Sequence, residues 1–317
     1  MTTQRLLAMA AMLCLATPSQ CQTTTKVQSV DQIPSAIKSK DGLAKFREQM
    51  SGVPLPDGFG TSLPAGLSAK AVVDLVAPGR DASLTTLVGV KPWPYRADTF
   101  IAIVCIASSR AEFEQDMHYN GKKPICQANS AEEGGEANYT PEGVYLAVLA
   151  YRAPDQPLRL LASYGKSLDI KFRWQETDMQ GPGWSNDGVA IWPYSYSRFD
   201  FAPYRISATE TAFGVRVGWF EGYAGGGADF EGIMLFAQDS DRLRNILAEP
   251  IYYMQDLAGD WQPDGTRNHE VQEGEATITM LPHQTNGHFD LRIKTAQQKG
   301  KRDFVWSDKD KRYWPVD

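Results

Sequence analysis

Apolar and polar residues alternate strictly in three parts of the chain, residues 168–174, residues 289–294 and residues 275–280. A period of two is typical of strands with one buried and one solvated face, as in antiparallel sheets. The alternation predicts that the even positions of the first segment are buried, namely Leu168, Ile170, Phe172 and Trp174. The intervening charged residues should be exposed, namely Asp169, Lys171 and Arg173. In the second segment Phe289, Leu291 and Ile293 should be buried in the same way.

Two further segments, residues 101–106 and 144–151, are apolar without interruption. Such runs are typical of central strands that are covered on both faces. No long alternation of strands with helices follows residue 140, which disfavours a doubly wound parallel sheet. The sequence therefore predicts a mainly β fold with antiparallel sheets, either a sandwich or a barrel.

Helical periodicity is confined to short N-terminal and peripheral stretches. Leu43, Phe46 and Met50 fit one helix face, and a second face is formed by Leu67, Ala71 and Leu75. A third short helix is predicted after Ser108 or Ser109, with Phe113 and Met117 on one side. We predict a lead-in at residues 23–97 with short helices, a first β lobe at 98–180 and a second β lobe at 181–317.

The N-terminus has the pattern of a secretory signal peptide. After Arg5, an apolar run extends from Leu6 to Ala16. This run is too short to span a bilayer and has the length of a signal-peptide core. We expect residues 1–22 to be removed and the protein to be periplasmic or secreted, with no later transmembrane segment. A lipid anchor on Cys21 is the alternative.

Composition narrows the classes of partner. The chain has 32 Lys and Arg against 38 Asp and Glu, a net charge of −6, and 42% hydrophobic residues. This is ordinary globular composition. Because the chain has no excess of cationic residues, nucleic acid is not an expected partner.

The signal-peptide prediction leaves two cysteines in the body of the protein, Cys105 and Cys126. An even number of cysteines in an exported chain favours pairing. We predict a disulfide with Cα atoms about 5.5 Å apart.

A dense aromatic segment covers residues 181–204 and is interleaved with Gly, Pro and Ser. Aromatic rings with a polar tip are common in recognition surfaces. The predicted binding residues are Trp184, Trp192, Tyr194 and Tyr196, joined by Tyr223 from a Gly-rich turn. The alternative is that Trp192, Tyr194 and Tyr196 alternate along a strand and build the core.

An acidic turn near residue 260 resembles the opening of a calcium loop. Oxygen-bearing residues follow at alternate positions, and the candidate ligands are Asp260, Asp264, Thr266 and Asn268. Position 12 of this loop is Val271 instead of a bidentate Glu, so an unoccupied surface loop is favoured over calcium. No other cofactor is expected.

Signatures of catalysis are weak. The segment 183–188 misses the Gly-x-Ser-x-Gly pattern by one position, and the four histidines show no zinc spacing. The sequence therefore favours an exported, non-catalytic binding protein, such as an inhibitor or immunity-type partner of an envelope-acting protein. Its partner would be another protein or an envelope glycan. An envelope hydrolase of glycan or ester bonds, and a structural or assembly component of the envelope, remain as alternatives.

Overall fold

The computed structural model describes residues 23–53, 55–119, 121, 123–127, 143–151, 156–185, 188–296 and 300–316. The predicted signal peptide, including Cys21, lies outside the described residues. The strands are β1 (Thr23–Val27), β2 (Thr85–Pro92), β3 (Thr99–Ile106), β4 (Val144–Tyr151), β5 (Leu158–Ser163), β6 (Ser195–Arg205), β7 (Thr211–Tyr223), β8 (Gly226–Asp239), β9 (Arg242–Trp261), β10 (Arg267–Thr285), β11 (His288–Thr295), β12 (Lys301–Ser307) and β13 (Arg312–Val316). The α-helices are α1 (Ile33–Ala36), α2 (Lys40–Ser51), α3 (Ala69–Val76) and α4 (Arg110–Tyr119). Short 3-10 helices cover Val30–Gln32, Ala82–Leu84 and Gly183–Ser185.

The described strands belong to one hydrogen-bonded sheet. Its main path is β13-β12-β11-β10-β9-β5-β4-β3-β2, while β6, β7 and β8 attach beside β9, and β1 pairs with β10. The named strand pairs are antiparallel except β5 with β9, which meet in parallel at Ser163 and Arg242. The prediction of a mainly β, antiparallel fold is confirmed.

The sheet folds back on itself, so that β2–β5 and β6–β9 share one hydrophobic core. Ile101 and Ile103 of β3 contribute to this core from one side, and Val215 and Val217 of β7 contribute from the other. The intervening residues of β3, such as Val104, face α3 in a second apolar cluster. Both faces of β3 are therefore covered, which explains its uninterrupted apolar sequence.

A third layer is formed by β11, β12 and β13. Leu291, Phe304 and Trp306 pack with Ile233 and Leu235 on the face of β8 that points away from the first core. This arrangement of stacked layers is sandwich-like. The predicted division into two lobes at residue 181 is not tested by these contacts and stays a prediction.

The burial predicted for residues 168–174 is confirmed. Leu168, Ile170, Phe172 and Trp174 are buried, and the three charged residues between them are exposed. The segment is extended, but Phe172 forms only an isolated bridge with Ile191 instead of belonging to a long ladder. The alternation therefore predicted correctly which side chains are buried, but residues 168–174 do not form a strand of the sheet.

The prediction for residues 289–294 is partly wrong. Leu291 and Ile293 of β11 are buried, whereas Phe289 is half-buried. Asp290, expected on the solvated face, is only 3% exposed. Its carboxylate accepts a hydrogen bond from Thr285 Oγ1 at 3.2 Å and lies 3.2 Å from His283 Nε2. Both contacts are made by Oδ2, whereas Oδ1 is buried without a hydrogen-bond partner among the described residues, so the burial of the carboxylate is compensated in part.

The N-terminal helices form where expected, but their buried faces differ. In α2, Phe46 is buried and Met50 is exposed. In α3 the buried residues are Val72, Val73 and Val76, because the helix begins after Ser68 and turns its valines to the sheet. Leu67 and Leu75 are half-buried and pack against the same cluster, whereas Ala71 is exposed, so the expected face was right only in part. In the described part of the chain, none of the helices is long and apolar enough to cross a membrane.

The predicted disulfide is confirmed. Cys105 in β3 is bonded to Cys126, with Cα atoms 5.5 Å apart. The bridge closes the excursion that contains α4, whose N-terminus is capped by the Ser109 hydroxyl accepting from Glu112 N. The Cys126 carbonyl in turn accepts a hydrogen bond from Tyr196 N at 2.8 Å. The bridge thus fixes the segment after α4 against both β3 and β6.

Candidate aromatic recognition surface

The aromatic segment is fastened across the end of β7. Gly183 N donates a hydrogen bond to Glu221 Oε1. Further along, the Trp192 carbonyl accepts from Trp219 Nε1 at 2.6 Å. The segment therefore runs along β7 in the direction opposite to the strand, with Trp184 and Trp192 carried at successive points.

A third attachment lies next to these two. Tyr194 N donates to the Gly218 carbonyl at 3.0 Å, immediately before β6 begins. Tyr223 ends β7, five residues beyond Gly218, a span of about 17 Å in an extended strand. We call the four aromatic residues carried along this span the aromatic surface: Trp184, Trp192, Tyr194 and Tyr223.

Three members of the aromatic surface are exposed. Trp184 has 47% of its surface accessible, and Tyr194 and Tyr223 are also exposed. Trp192 is half-buried. A singly exposed ring is ordinary on a protein surface, whereas several exposed rings in one region are typical of an interaction site.

Tyr196 does not belong to this surface, which corrects the sequence-based assignment. Only 4% of Tyr196 is exposed, and its ring lies in the core shared by β2–β5 and β6–β9. Tyr196 pairs in register with Val217, another core residue. Opposed residues in an antiparallel pair share a face of the sheet, so Tyr196 is turned inward with Val217. The alternative of a core-forming residue is correct for Tyr196 alone.

Trp192 is held by charged residues of the alternating segment. Its indole Nε1 donates to Asp169 Oδ1 at 2.7 Å. The Lys171 ammonium lies 3.7 Å from the centre of the Trp192 ring, in cation–π geometry. The solvated face of residues 168–174 therefore fixes the orientation of this ring.

Tyr223 is fixed by a chain of polar contacts. Its hydroxyl donates to Glu221 Oε2 and accepts from Gln255 Nε2 at 3.1 Å. Gln255 in turn accepts from Gln180 Nε2 at 2.8 Å. Burial, together with the hydrogen bond to Glu221, raises the pKa of Tyr223 to about 12, so the hydroxyl stays protonated near neutral pH. Glu221 thus joins Tyr223 to the Gly183 backbone beside Trp184.

These supporting residues carry no local sequence signal. Glu221, Gln255 and Gln180 come from three separate parts of the chain and meet only when the sheet is formed. The density of aromatic residues in the sequence was enough to predict the exposed rings. It was not enough to predict the polar side chains that orient them.

The calcium-loop residues lie in and beside the hairpin that joins β9 to β10. Asp264 accepts hydrogen bonds from Thr266 N at 2.9 Å and from Thr266 Oγ1 at 2.7 Å, and these bonds lower the pKa of the Asp264 carboxyl. Asp260 belongs to the end of β9, and Asn268 belongs to β10. Over the described ranges, His, Cys, Asp and Glu do not gather in groups of three or more able to hold a metal ion. The calcium interpretation stays a prediction.

A buried histidine–aspartate pair is a candidate acid–base group. His269 Nδ1 lies 2.8 Å from Asp256 Oδ1, and both residues are buried between β9 and β10. Burial raises the pKa of Asp256, and the hydrogen bond with His269 offsets part of this rise. His269 Nε2 has no hydrogen-bond partner among the described residues, so a nucleophilic hydroxyl is not provided to it there. General base catalysis of the serine-hydrolase type requires such a contact.

A second buried group is Glu231 on β8, which is 2% exposed. Its carboxylate lies 3.0 Å from Lys45 Nζ of α2, 3.6 Å from Arg198 Nη1 and 4.0 Å from Arg216 Nη1. Burial alone would raise the pKa of Glu231, but the three cations lower it below its ordinary value. The ion pair between Lys45 and Glu231 therefore holds α2 against the sheet.

Comparison with protein-family models, curated proteins and solved structures gives no significant match to this chain. Inference about function therefore rests on the site geometry. The His269–Asp256 pair and Glu231 are enclosed within the protein, whereas three of the four rings of the aromatic surface are exposed to solvent.

Proposed function

We propose that this protein acts outside the cytoplasm by binding another protein through the aromatic surface, without catalytic turnover. The observation that carries the proposal is the exposure of Trp184, Tyr194 and Tyr223 along one strand end. The positions of β7 beside which they lie extend over about 17 Å, which suits a macromolecular interface better than a single small ligand.

Two rings of the aromatic surface are preorganised by contacts within the protein. Trp192 is oriented by Asp169 and Lys171, and Tyr223 is oriented by Glu221 and Gln255. Rigid aromatic rings lose little conformational freedom on association, so more of the contact energy appears as affinity. This arrangement supports recognition by anchoring side chains.

The proposed location outside the cytoplasm is supported by the disulfide. Cys105 and Cys126 are bonded, and structural disulfides persist mainly in oxidising compartments. The predicted signal peptide at residues 1–22 agrees with this location.

The proposal that the protein is not a hydrolase is supported by two of its buried groups, the His269–Asp256 pair and Glu231. His269 and Asp256 are closed to solvent, and the Glu231 carboxylate is surrounded by cations that keep it ionised. A general acid must hold a proton near its working pH, which these cations oppose in Glu231.

Affinity capture from an envelope extract tests the proposal, with wild type, Trp184→Ala and Trp314→Ala as baits. Trp314 on β13 is a matched control because it is 46% exposed and lies outside the aromatic surface. Truncation of an anchoring Trp should cost about 2 kcal/mol of binding, or roughly thirtyfold in affinity. We expect Trp184→Ala to lose a protein partner that Trp314→Ala retains, with circular dichroism unchanged in both.

Three results would contradict the proposal. Equal recovery of every partner by the three baits would remove the aromatic surface as the binding site. A captured partner that resists protease and is lost after glycosidase treatment would replace the protein partner by a glycan. Hydrolysis of peptidoglycan or of an ester substrate by the purified wild type would show that the protein is an enzyme.

A further inference from the structure

A separate cleft of about 470 Å³ opens at the other end of β7. It lies between the turn that follows β2, the turn before β7 and the hairpin that joins β8 to β9. Its volume falls within the range of about 300–1,000 Å³ that is usual for small-ligand sites. The lining residues that matter for its chemistry are Trp93, Tyr95, Arg96, Glu210, Gln238 and Ser240.

Two aromatic rings form the apolar part of the cleft. Trp93 is 6% exposed and packs edge-to-face on Phe213, with ring centres 5.6 Å apart. Tyr95 is exposed, and its hydroxyl donates to the Phe201 carbonyl at 2.8 Å, which fixes the ring. These contacts hold both rings in place without a ligand.

Trp93 also brings a buried polar atom that lacks a partner. Its indole Nε1 is enclosed, and none of the described residues accepts a hydrogen bond from it. A buried N–H without an acceptor is costly, and buried polar groups are nearly always paired. Because this atom has almost no accessible surface although the cleft is open, a bound molecule does not reach it, and Trp93 contributes to the wall of the cleft by packing alone.

The polar part of the cleft is likewise fixed by internal bonds. Arg96 Nη1 donates to Gln238 Oε1 at 2.6 Å, and Gln238 Nε2 donates to the Ser240 carbonyl at 2.8 Å. Since a guanidinium has five N–H donors, Arg96 keeps donors for a ligand. Glu210 offers carboxylate oxygens as acceptors, and its side chain is about half exposed beside His288.

This combination selects the chemical class of the ligand. Glu210 disfavours a ligand with net negative charge, Arg96 disfavours one with net positive charge, and the polar lining disfavours a wholly apolar molecule. Among molecules without net charge, one rich in hydroxyl groups can accept from Arg96 and donate to Glu210 while a C–H face covers the exposed Tyr95 ring. We propose that the cleft binds a short neutral saccharide.

The saccharide site is independent of the aromatic surface. Thr211, which begins β7 and lines the cleft, is seven residues from Gly218 beneath Tyr194, or about 24 Å along an extended strand. Variants in one region should therefore leave binding at the other unchanged, and either proposal can fail alone.

Saturation-transfer NMR on the full-length mature protein tests the proposal with defined probes. The neutral probes are glucose, galactose, N-acetylglucosamine and its β-1,4-linked disaccharide, and the charged probes are glucuronate and glucosamine. We expect transfer to at least one neutral sugar at millimolar concentration. Arg96→Ala and Tyr95→Ala should each weaken its binding by about tenfold or more, through loss of a charged hydrogen-bond donor and of a ring face.

The control variants are Arg159→Ala, which changes an exposed arginine of β5, and Trp184→Ala; both should bind the sugar as wild type does. Absence of transfer to every neutral probe would overturn the proposal. Transfer to glucuronate or glucosamine alone would overturn the neutral class. Sugar binding that survives both cleft substitutions would place the site elsewhere.

Discussion

Glu231 is a carboxylate that three cations hold ionised inside the protein. It contributes stability because its pKa is lower in the folded state than in the unfolded chain, where it is ordinary at about 4.3. For an acid with a lowered pKa, this contribution is complete above the ordinary pKa. It is lost as the pH falls through the still lower pKa of the folded state.

Glu231→Gln is therefore expected to destabilise the fold by about 3 kcal/mol at neutral pH, because Lys45, Arg198 and Arg216 lose their shared counter-charge. Urea unfolding across a pH series measures this difference. The difference in unfolding free energy between wild type and variant should be constant above a pH of about 4.5. It should become smaller as the pH falls below this value.

The matched control is Asp74→Asn, which breaks the exposed i,i+4 pair of Asp74 with Lys70 on α3. Exposed pairs contribute little, so the control should change the unfolding free energy by about 0.5 kcal/mol or less. An equal loss in both variants, or a gap that widens as the pH falls, would contradict the account of Glu231.

Tyr194 and Tyr196 show what could be predicted about single residues. Both were assigned to a recognition surface because they lie in a segment dense in aromatic residues. The structure exposes Tyr194 and buries Tyr196, whose neighbour in register is Val217. Local composition cannot provide that register, since Val217 belongs to another strand 21 residues away.

At the scale of elements, the Cys105–Cys126 bridge ties the excursion containing α4 to the sheet. The two cysteines are 21 residues apart in sequence. Closing a loop of this length in the unfolded chain should stabilise the fold by about 3 kcal/mol. Cys105→Ala combined with Cys126→Ala should lower the unfolding free energy by about this amount under oxidising conditions.

Chemical denaturation with and without reductant checks this prediction. Reductant should lower the midpoint of wild type towards that of the double variant and leave the double variant unchanged. A double variant as stable as oxidised wild type would show that the bridge contributes nothing to stability.

The elements differ in how well their sequences predict them. The continuous apolar run of β3 correctly indicated a strand covered on both faces, because α3 covers the face that the core does not. The buried face of α3 was predicted only in part, since Val72, Val73 and Val76 are buried while Leu67 and Leu75 are half-buried beside them and Ala71 is exposed. Which stripe is buried depends on the sheet against which the helix packs.

At the scale of the molecule, strand patterning predicted the class of fold but not its layers. β10 pairs with β9 and β1 through its first half and with β11 through its second half. This division builds the third layer, and the alternation at residues 275–280 within β10 does not show that β11 is the partner strand there. The saccharide cleft was missed for the same reason, because Trp93, Glu210 and Gln238 come from three distant turns.

Site-specific photo-crosslinking tests the central claim, that the aromatic surface contacts a protein partner, most directly. A photoreactive phenylalanine analogue is placed at position 184 or, as the control, at position 314, and intact cells producing each variant are irradiated. Both positions carry Trp residues of nearly equal exposure, 47% at Trp184 and 46% at Trp314. We predict a discrete protein adduct from position 184 and none from position 314. An adduct from position 314 alone, or the same adduct from both positions, would contradict the account.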